Sequence, residues 1–249
     1  PIVILIGLMM SGFSTHYSAV WAIFSIPICG LLKKHTRMSF GTIISSIIDG
    51  SKSAVMVAIA CAASGIVIGA FNMSGLAIRL TSAIVGLSGT SLFLALLLTM
   101  LAALILGMGI PTTAAYITCV AVVAPALTKL GIETFVAHMF VLYFAVISSI
   151  TPPVAIAAYA AAGLTKADPI KIGLHACRLG IIAFFVPYMF VYQPALLLIG
   201  GWLQILQALV TSTFGTIVLA SALEGWAFTR MGKVDRILMG IAGLLCIYP

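Results

Sequence analysis

Charge is what this sequence has least of. Asp, Glu, Lys and Arg together make up 7% of the 249 residues, against roughly 25% in ordinary soluble proteins. A soluble fold of this length needs far more polar surface to cover itself, so these apolar faces must meet lipid or other membrane helices. A hydrophobic content of 63% and a mean hydropathy of +1.27 point the same way. The five cysteines, Cys29, Cys61, Cys119, Cys177 and Cys246, share no metal-ligand spacing and include no Cys-x-x-Cys pair. That excludes zinc and redox motifs and leaves them as small apolar packing residues inside helices. Low-complexity stretches and long hydrophilic segments are also missing. The first residues carry neither a basic region nor a small-residue cleavage site, so they are not expected to be a signal peptide. The sequence opens at Pro1 within the apolar run Ile2 to Met10 and closes within another ending Cys246-Ile-Tyr-Pro249. It is therefore expected to be a fragment of a longer polytopic protein.

A net charge of +7 would suggest nucleic acid in a soluble protein. Here the basic residues gather at the ends of apolar spans, which is the usual topology signal, and no nucleic-acid partner is expected. Three clusters stand out: Lys33-Lys34-His35-Thr36-Arg37, then Lys166 to Arg178, then Arg230 to Arg236. The positive-inside rule puts all three in the cytoplasm, so the spans between them must sum to even numbers of crossings. Between the first two lie apolar stretches at Ser53 to Phe71, Leu92 to Leu127 and Phe135 to Gly163. Three full crossings would put the second cluster outside, so the middle stretch should cross twice or not at all. Leu92 to Leu106 is fifteen residues, about 22 Å of helix, short of the ~30 Å hydrocarbon core. A re-entrant hairpin entered from outside, its tip near mid-membrane, fits better than two crossings. Further on, Leu179 to Ile199 is expected to run outward and Trp202 to Leu223 to return, with Trp202 and Trp226 at the two interfaces. Met38 to Lys52 reads as an amphipathic helix on the cytoplasmic face, and Met73 to Leu87, with Arg79, as a second interfacial helix outside. Gly65-x-x-x-Gly69 offers a smooth helix face for close packing.

Two places cannot be continuous helix. In Gly107-Met108-Gly109-Ile110-Pro111-Thr112-Thr113 the glycines permit conformations other residues resist, and Pro111 cannot donate to a preceding turn. Pro suits the first position of a helix, so Pro111 would start the arm that ends at Leu127, with Thr112 and Thr113 in its first turn. In Ser148-Ser149-Ile150-Thr151-Pro152-Pro153, Thr151 has the chemistry of an N-cap and Pro152 that of the first residue of a helix Val154 to Gly163. Backbone at membrane depth must be bonded internally unless it is buried in protein or lines a cavity. Unwound carbonyls and hydroxyls ligate a cation such as sodium, and a half-helix N-terminus favours a carboxylate. The bland alternative is a pair of proline kinks covered by neighbouring helices. Two breaks, each setting Pro beside Thr, favour a binding site.

No Asp, Glu, Lys or Arg lies in either break or deep in its arms. Proton coupling needs a titratable group, usually an intramembrane carboxylate, so the local chemistry favours sodium, with a proton-coupled transporter as the alternative. Only His138 could titrate nearby, and a lone histidine on an apolar helix is more often a packing residue. Tyr116 and Tyr159 each follow a break by about one turn and either line the cavity or merely pack. A membrane-embedded enzyme would want a convergent nucleophile and base, for which His138 with Ser148 is the nearest approach. A passive scaffold would have no use for two polar breaks. Asp168, Glu133 and Glu224 sit near span ends and are expected to be solvated.

The stretch Leu106-Gly-Met-Gly-Ile-Pro-Thr-Thr-Ala-Ala-Tyr116, followed by Val123-Ala-Pro-Ala-Leu127, resembles the large membrane subunit of tripartite ATP-independent periplasmic (TRAP) transporters. Ser149-Ile-Thr-Pro-Pro-Val-Ala155, Ala157-Ala-Tyr-Ala-Ala-Ala-Gly163 and Val186-Pro-Tyr-Met-Phe-Val-Tyr-Gln-Pro194 extend the likeness, especially to the form in which the small and large membrane subunits are fused. It runs from about Gly12 to Leu198. The resemblance implies an all-α polytopic membrane protein of elevator type, taking up an organic acid with a sodium gradient. It also implies an extracytoplasmic solute-binding protein as partner, a small membrane subunit fused upstream, and residence in a bacterial or archaeal cytoplasmic membrane. On this basis 12–198 would be a transporter core half, containing a hairpin at 92–127 and a broken helix at 135–163, and 199–249 would be C-terminal membrane helices. Carried over by motif, Gly107, Gly109, Pro111, Thr112 and Thr113 fall at the hairpin tip, and Ser149, Thr151, Pro152 and Pro153 at the neighbouring broken helix. Gly12-Phe-Ser-Thr-His-Tyr-Ser-Ala departs from the family's usual proline after Ser or Thr, and no site role is assigned there.

Overall fold

Apolar sequence without alternation or hairpin turns gives helices, and the computed structural model of the chain has only helices as regular elements among the described residues. Those are residues 1–31, 39–227 and 229–247, the side chains of 31, 53, 56, 57, 60, 64, 163 and 164 excepted. The basic cluster Lys33 to Arg37 thus lies outside the described residues. The chain divides into two compact units, Pro1–Ala58 and Ile59–Pro249.

In the first unit, α1 (Ile2–Met10) turns at Gly12, which takes φ +85°, and packs on α2 (Thr15–Leu31). Phe13, Tyr17, Trp21 and Phe24 form a ladder of rings with successive centroids 5.2, 6.2 and 6.4 Å apart. Serine hydroxyls buried in α2 are satisfied by its own carbonyls: Ser18 donates to Ser14 O at 3.0 Å and Ser25 to Ala22 O at 2.6 Å. The next helix, α3 (Phe40–Met73), is 34 residues long. This corrects the expected division into an interfacial helix to Lys52 and a separate span. Nothing between Asp49 and Lys52 ends a helix, because a lone glycine costs only about 1 kcal/mol and the flanking turns propagate cooperatively.

In the second unit, Gly75 at φ +69° starts α4 (Leu76–Ser88), bent by 70° from the preceding helix. The expected interfacial helix instead buries Ala77, Thr81, Ile84 and Ser88 against the two helices that follow. Thr81 Oγ1 donates to Val122 O at 3.4 Å, while Arg79 on the opposite face stays exposed. Ser91 caps α5 (Leu92–Gly107) by accepting from Leu94 N at 3.3 Å. After the interruption comes α6 (Thr112–Lys129), then α7 (Thr134–Ile147). The α5 and α6 arms fold back on each other: Cys119 Sγ lies 3.4 Å from Ala103 O, residues equally spaced about Pro111. These helices enclose the core, where Leu96, Val122, Val123, Leu127, Phe140 and Phe144 are fully or almost fully buried.

The broken α7 resumes as α8 (Ile156–Thr165), followed by α9 (Pro169–Leu179), whose N-cap Asp168 accepts from Ile170 N at 2.9 Å. Asp168 is thus solvated and also structural. Leu179 to Ile199 is not the single outward helix expected. It is a 3-10 turn (Ile181–Phe184), α10 (Val186–Tyr192) and a second 3-10 turn (Pro194–Leu197). Pro187 and Pro194 lack the N–H groups that a continuous ladder needs, and at Gly180 the chain bends by 67°. Trp202 opens α11 (Trp202–Glu224) as expected, and α12 (Lys233–Ile247) returns along it. Arg236 closes the far end of α11, its Nε donating to Ala222 O at 2.9 Å and Nη2 to Leu223 O at 2.6 Å. Cations are favoured there because the last carbonyls carry the negative end of the helix dipole. Glu224 is exposed and pairs with Arg178 at 3.4 Å.

Gly65 and Gly69 meet nothing within 4 Å among the described residues, so the packing face expected from their spacing is not used there. The close helix contact lies elsewhere. A Cβ on Gly243 would stand 2.9 Å from Leu219 N, and one on Gly215 would stand 3.0 Å from Gly243 O. There α11 and α12 touch backbone to backbone, the approach that small residues permit between membrane helices.

Candidate functional site

The two interruptions meet. Gly107, the last residue of α5, is buried against Ser148, which follows α7: a Cβ there would lie 2.6 Å from Ser148 Oγ and 3.1 Å from Ser148 Cβ. Gly109, at φ +79°, faces Val154, whose Cγ1 would be 3.2 Å from an added Cβ. The left-handed backbone and the contact both ask for glycine at that turn. Pro111 is the N-cap of α6, one position before the first-residue role expected for it. Thr112 and Thr113 occupy the first turn, both exposed. The leading N–H groups of α6 have no intrahelical carbonyl to bond, so that turn offers donors beside two hydroxyls.

The second break is wider than expected and differently built. Thr151 is not an N-cap and Pro152 does not begin a helix, because α8 starts at Ile156. Instead the chain makes tight turns off α7: Ser149 N donates to Val146 O, Ile150 N to Ile147 O and Thr151 N to Ser148 O, at 3.0 to 3.2 Å. The hydroxyls follow, Ser149 donating to Val146 O at 2.7 Å and Thr151 to Ile147 O at 2.9 Å. The adjacent prolines, joined by a cis peptide bond, cannot supply N–H groups to carry the helix on, which is why the helix restarts late. Ala157 N reaches back to Ser149 O at 3.0 Å and ties the start of α8 to the end of α7. A hydroxyl that gives its hydrogen to a carbonyl keeps its oxygen lone pairs, so Ser149 and Thr151 remain acceptors for a cation. Among the described residues, no cluster of three His, Cys, Asp or Glu side chains is present that could hold a metal ion. A cation at the breaks would be ligated by hydroxyl and carbonyl oxygen, the donor set that hard cations take.

Residues outside the motifs support the second break. A Cβ on Gly173 of α9 would stand 3.2 Å from Pro152 Cγ and 3.4 Å from Ala155 Cβ, and Cys177 Sγ lies 3.3 Å from Ile150 O. Neither residue carried a local signal, because their relation to the break exists only once α9 has folded back on it. Tyr116 and His138 also find each other, Oη to Nδ1 at 3.0 Å with rings edge to face. This gives His138 a partner on α6 and separates it from Ser148, ten residues further along its own chain and bonded to Ala145 O at 2.7 Å. The pair imagined for an enzyme is not assembled. Tyr159 is exposed on α8.

Apolar helices, a helical hairpin and a broken helix whose interruptions touch define an all-α polytopic membrane protein. By length and composition, two helices among the described residues can cross a membrane, or up to four spans if each bent pair counts as one. A family model, that of the tripartite ATP-independent periplasmic transporter, DctM component, matches residues 1–205, and the chain belongs to that family. It is therefore a permease component of a TRAP transporter. No curated protein and no solved structure matches the chain.

Proposed function

We propose that this permease takes up an organic acid with a sodium gradient, receiving it from an extracytoplasmic solute-binding protein. The observation that carries the reading is the contact of the two breaks at Gly107 and Ser148. We take that contact as the point about which the hydroxyls and unwound carbonyls of the breaks and the N-terminus of α6 would serve one site. The carbonyls and the hydroxyls of Thr112, Thr113, Ser149 and Thr151 suit sodium. The free N–H groups of α6 suit the carboxylate. Gly107, Gly109, Pro111, Pro152 and Pro153 shape the backbone that presents these groups. In this reading 12–198 is the core half of an elevator, with 92–127 a re-entrant hairpin entered from outside, and 199–249 adds C-terminal membrane helices. A small membrane subunit, fused upstream, completes the permease in a bacterial or archaeal cytoplasmic membrane.

Sodium is favoured because neither break contains an acid or a base. In the full-length protein in proteoliposomes, Thr113→Ala and Thr151→Ala should each weaken sodium-dependent uptake while leaving expression intact. Unchanged sodium dependence in both variants would remove the assignment. One observation favours a proton-coupled version, the hydrogen bond between His138 and Tyr116, since it is a protonatable link beside the hairpin. Imposing sodium and proton gradients separately distinguishes the two. Uptake should follow the sodium gradient and persist in His138→Gln; uptake driven by the proton gradient alone and lost in that variant gives the second reading.

A further inference from the structure

We propose that Cys177 on α9 is a positioning residue for the coupling cation, acting through the main-chain carbonyl of Ile150. The proposal rests on the two breaks being a sodium site, and it adds to that site a residue outside both motifs. Three consecutive carbonyls of the second break are occupied differently. Ser148 O accepts from Thr151 N at 3.2 Å and Ser149 O from Ala157 N at 3.0 Å, so both are committed to backbone bonds. Ile150 O receives no backbone N–H; among the described residues its one donor is the Cys177 thiol, with Sγ 3.3 Å away. A thiol is a weak donor and a carbonyl oxygen has two lone pairs. The Ile150 oxygen is therefore held in direction while keeping most of its capacity to accept. An unwound carbonyl with that capacity is what a hard cation takes as a ligand.

The thiol is placed by how α9 lies on the break. Gly173, Cys177 and Gly180 follow the i, i+4, i+7 spacing that puts residues on one face of a helix, and this face meets the break. A Cβ on Gly173 would stand 3.2 Å from Pro152 Cγ and 3.6 Å from Ala158 Cβ, and one on Gly180 would stand 3.3 Å from Ile150 Cδ1. Glycine on either side of Cys177 lets the helix come close enough for a side chain with one heavy atom beyond Cβ to reach main chain. The helix is fixed at its start by the Asp168 cap. A group that holds a ligand oxygen from behind sets its direction, and removing such a group weakens cation binding although the group never touches the ion.

The test is equilibrium binding of radioactive sodium to the purified full-length transporter, with choline replacing sodium at constant ionic strength. Cys177→Ala should raise the sodium dissociation constant roughly threefold to tenfold, the factor that loss of one neutral hydrogen bond carries, with the number of sites at saturation unchanged. Cys177→Ser, which restores a donor, should recover most of that affinity. Gly173→Ala forces α9 and Pro152 apart and should weaken sodium binding in the same direction with the thiol still present. Thr151→Ala is the reference for the site itself. If wild type binds no sodium, or Thr151→Ala binds it as wild type does, the sodium site fails and the role of Cys177 falls with it. If Thr151→Ala weakens binding while Cys177→Ala leaves the dissociation constant unchanged, the role of Cys177 alone is overturned. Equal affinities for the alanine and serine variants would overturn it too. So would a loss of sites or of melting temperature at constant affinity, which is the mark of a purely structural contact.

Discussion

At Gly107 and Ser148 the absence of a single methyl group lets two interruptions touch. An alanine at 107 would push its Cβ into the Ser148 side chain at 2.6 Å, and both residues sit on packed helix ends that cannot easily give way. Gly107→Ala should cost about 1–3 kcal/mol, the usual penalty for overpacking, and lower uptake. Ser148→Gly removes both contacting atoms and should recover part of that loss in the double variant, read as a coupling energy from thermal melts. Strict additivity would mean that the two breaks do not meet. The motif Gly-x-Gly-x-Pro-Thr-Thr is fully legible in sequence, and so is its need for unusual backbone at Gly109. That the conflict is with Ser148 is not legible, because 41 positions separate the two residues. The N-cap assigned to Thr151 failed for a physical reason: Thr151 closes a turn off α7, its N–H bonded to Ser148 O at 3.2 Å and its hydroxyl to Ile147 O at 2.9 Å, and the two prolines that follow offer it no N–H to accept.

Among the elements, bounds are legible in sequence at the Gly/Pro interruption between α5 and α6 and along α11. The arms α5 and α6 and the helix α11 lie within two residues of their expected bounds. The errors share a cause. Met38 to Lys52 and Ser53 to Phe71 were separated by polarity, but polarity does not end a helix, and α3 runs through. Leu179 to Ile199 was joined by hydropathy, although prolines at 187 and 194 break it. Helix partners were the least legible. Gly65 and Gly69 carry the recognised spacing and touch nothing within 4 Å among the described residues, whereas Gly215 and Gly243 lie on different helices and bring α11 and α12 backbone to backbone. Gly243→Leu should therefore separate these helices and speed hydrogen exchange along 211–224. Gly65→Leu should leave exchange in the second unit unchanged. The exposed Arg178–Glu224 pair contributes about 0–1 kcal/mol, so Glu224→Gln should shift the melting temperature little.

For the whole molecule, charge parity predicts a topology that can be checked directly. With native cysteines replaced, Lys166→Cys and Lys233→Cys should resist a membrane-impermeant thiol reagent added outside, and Gly200→Cys should react with it. Labelling of all three from one side would overturn the crossing pattern. The sequence by itself determined the solvent, the helical class, the position of both breaks and the transporter family, because 7% charge, apolar runs and Gly/Pro interruptions are properties of composition and local order. Only the tertiary structure decided that the breaks meet at Gly107 and Ser148, that Tyr116 holds His138, and that Cys177 on α9 reaches the Ile150 carbonyl. Each of these joins residues distant in the chain, and their contact follows from how whole helices pack, which no local pattern encodes.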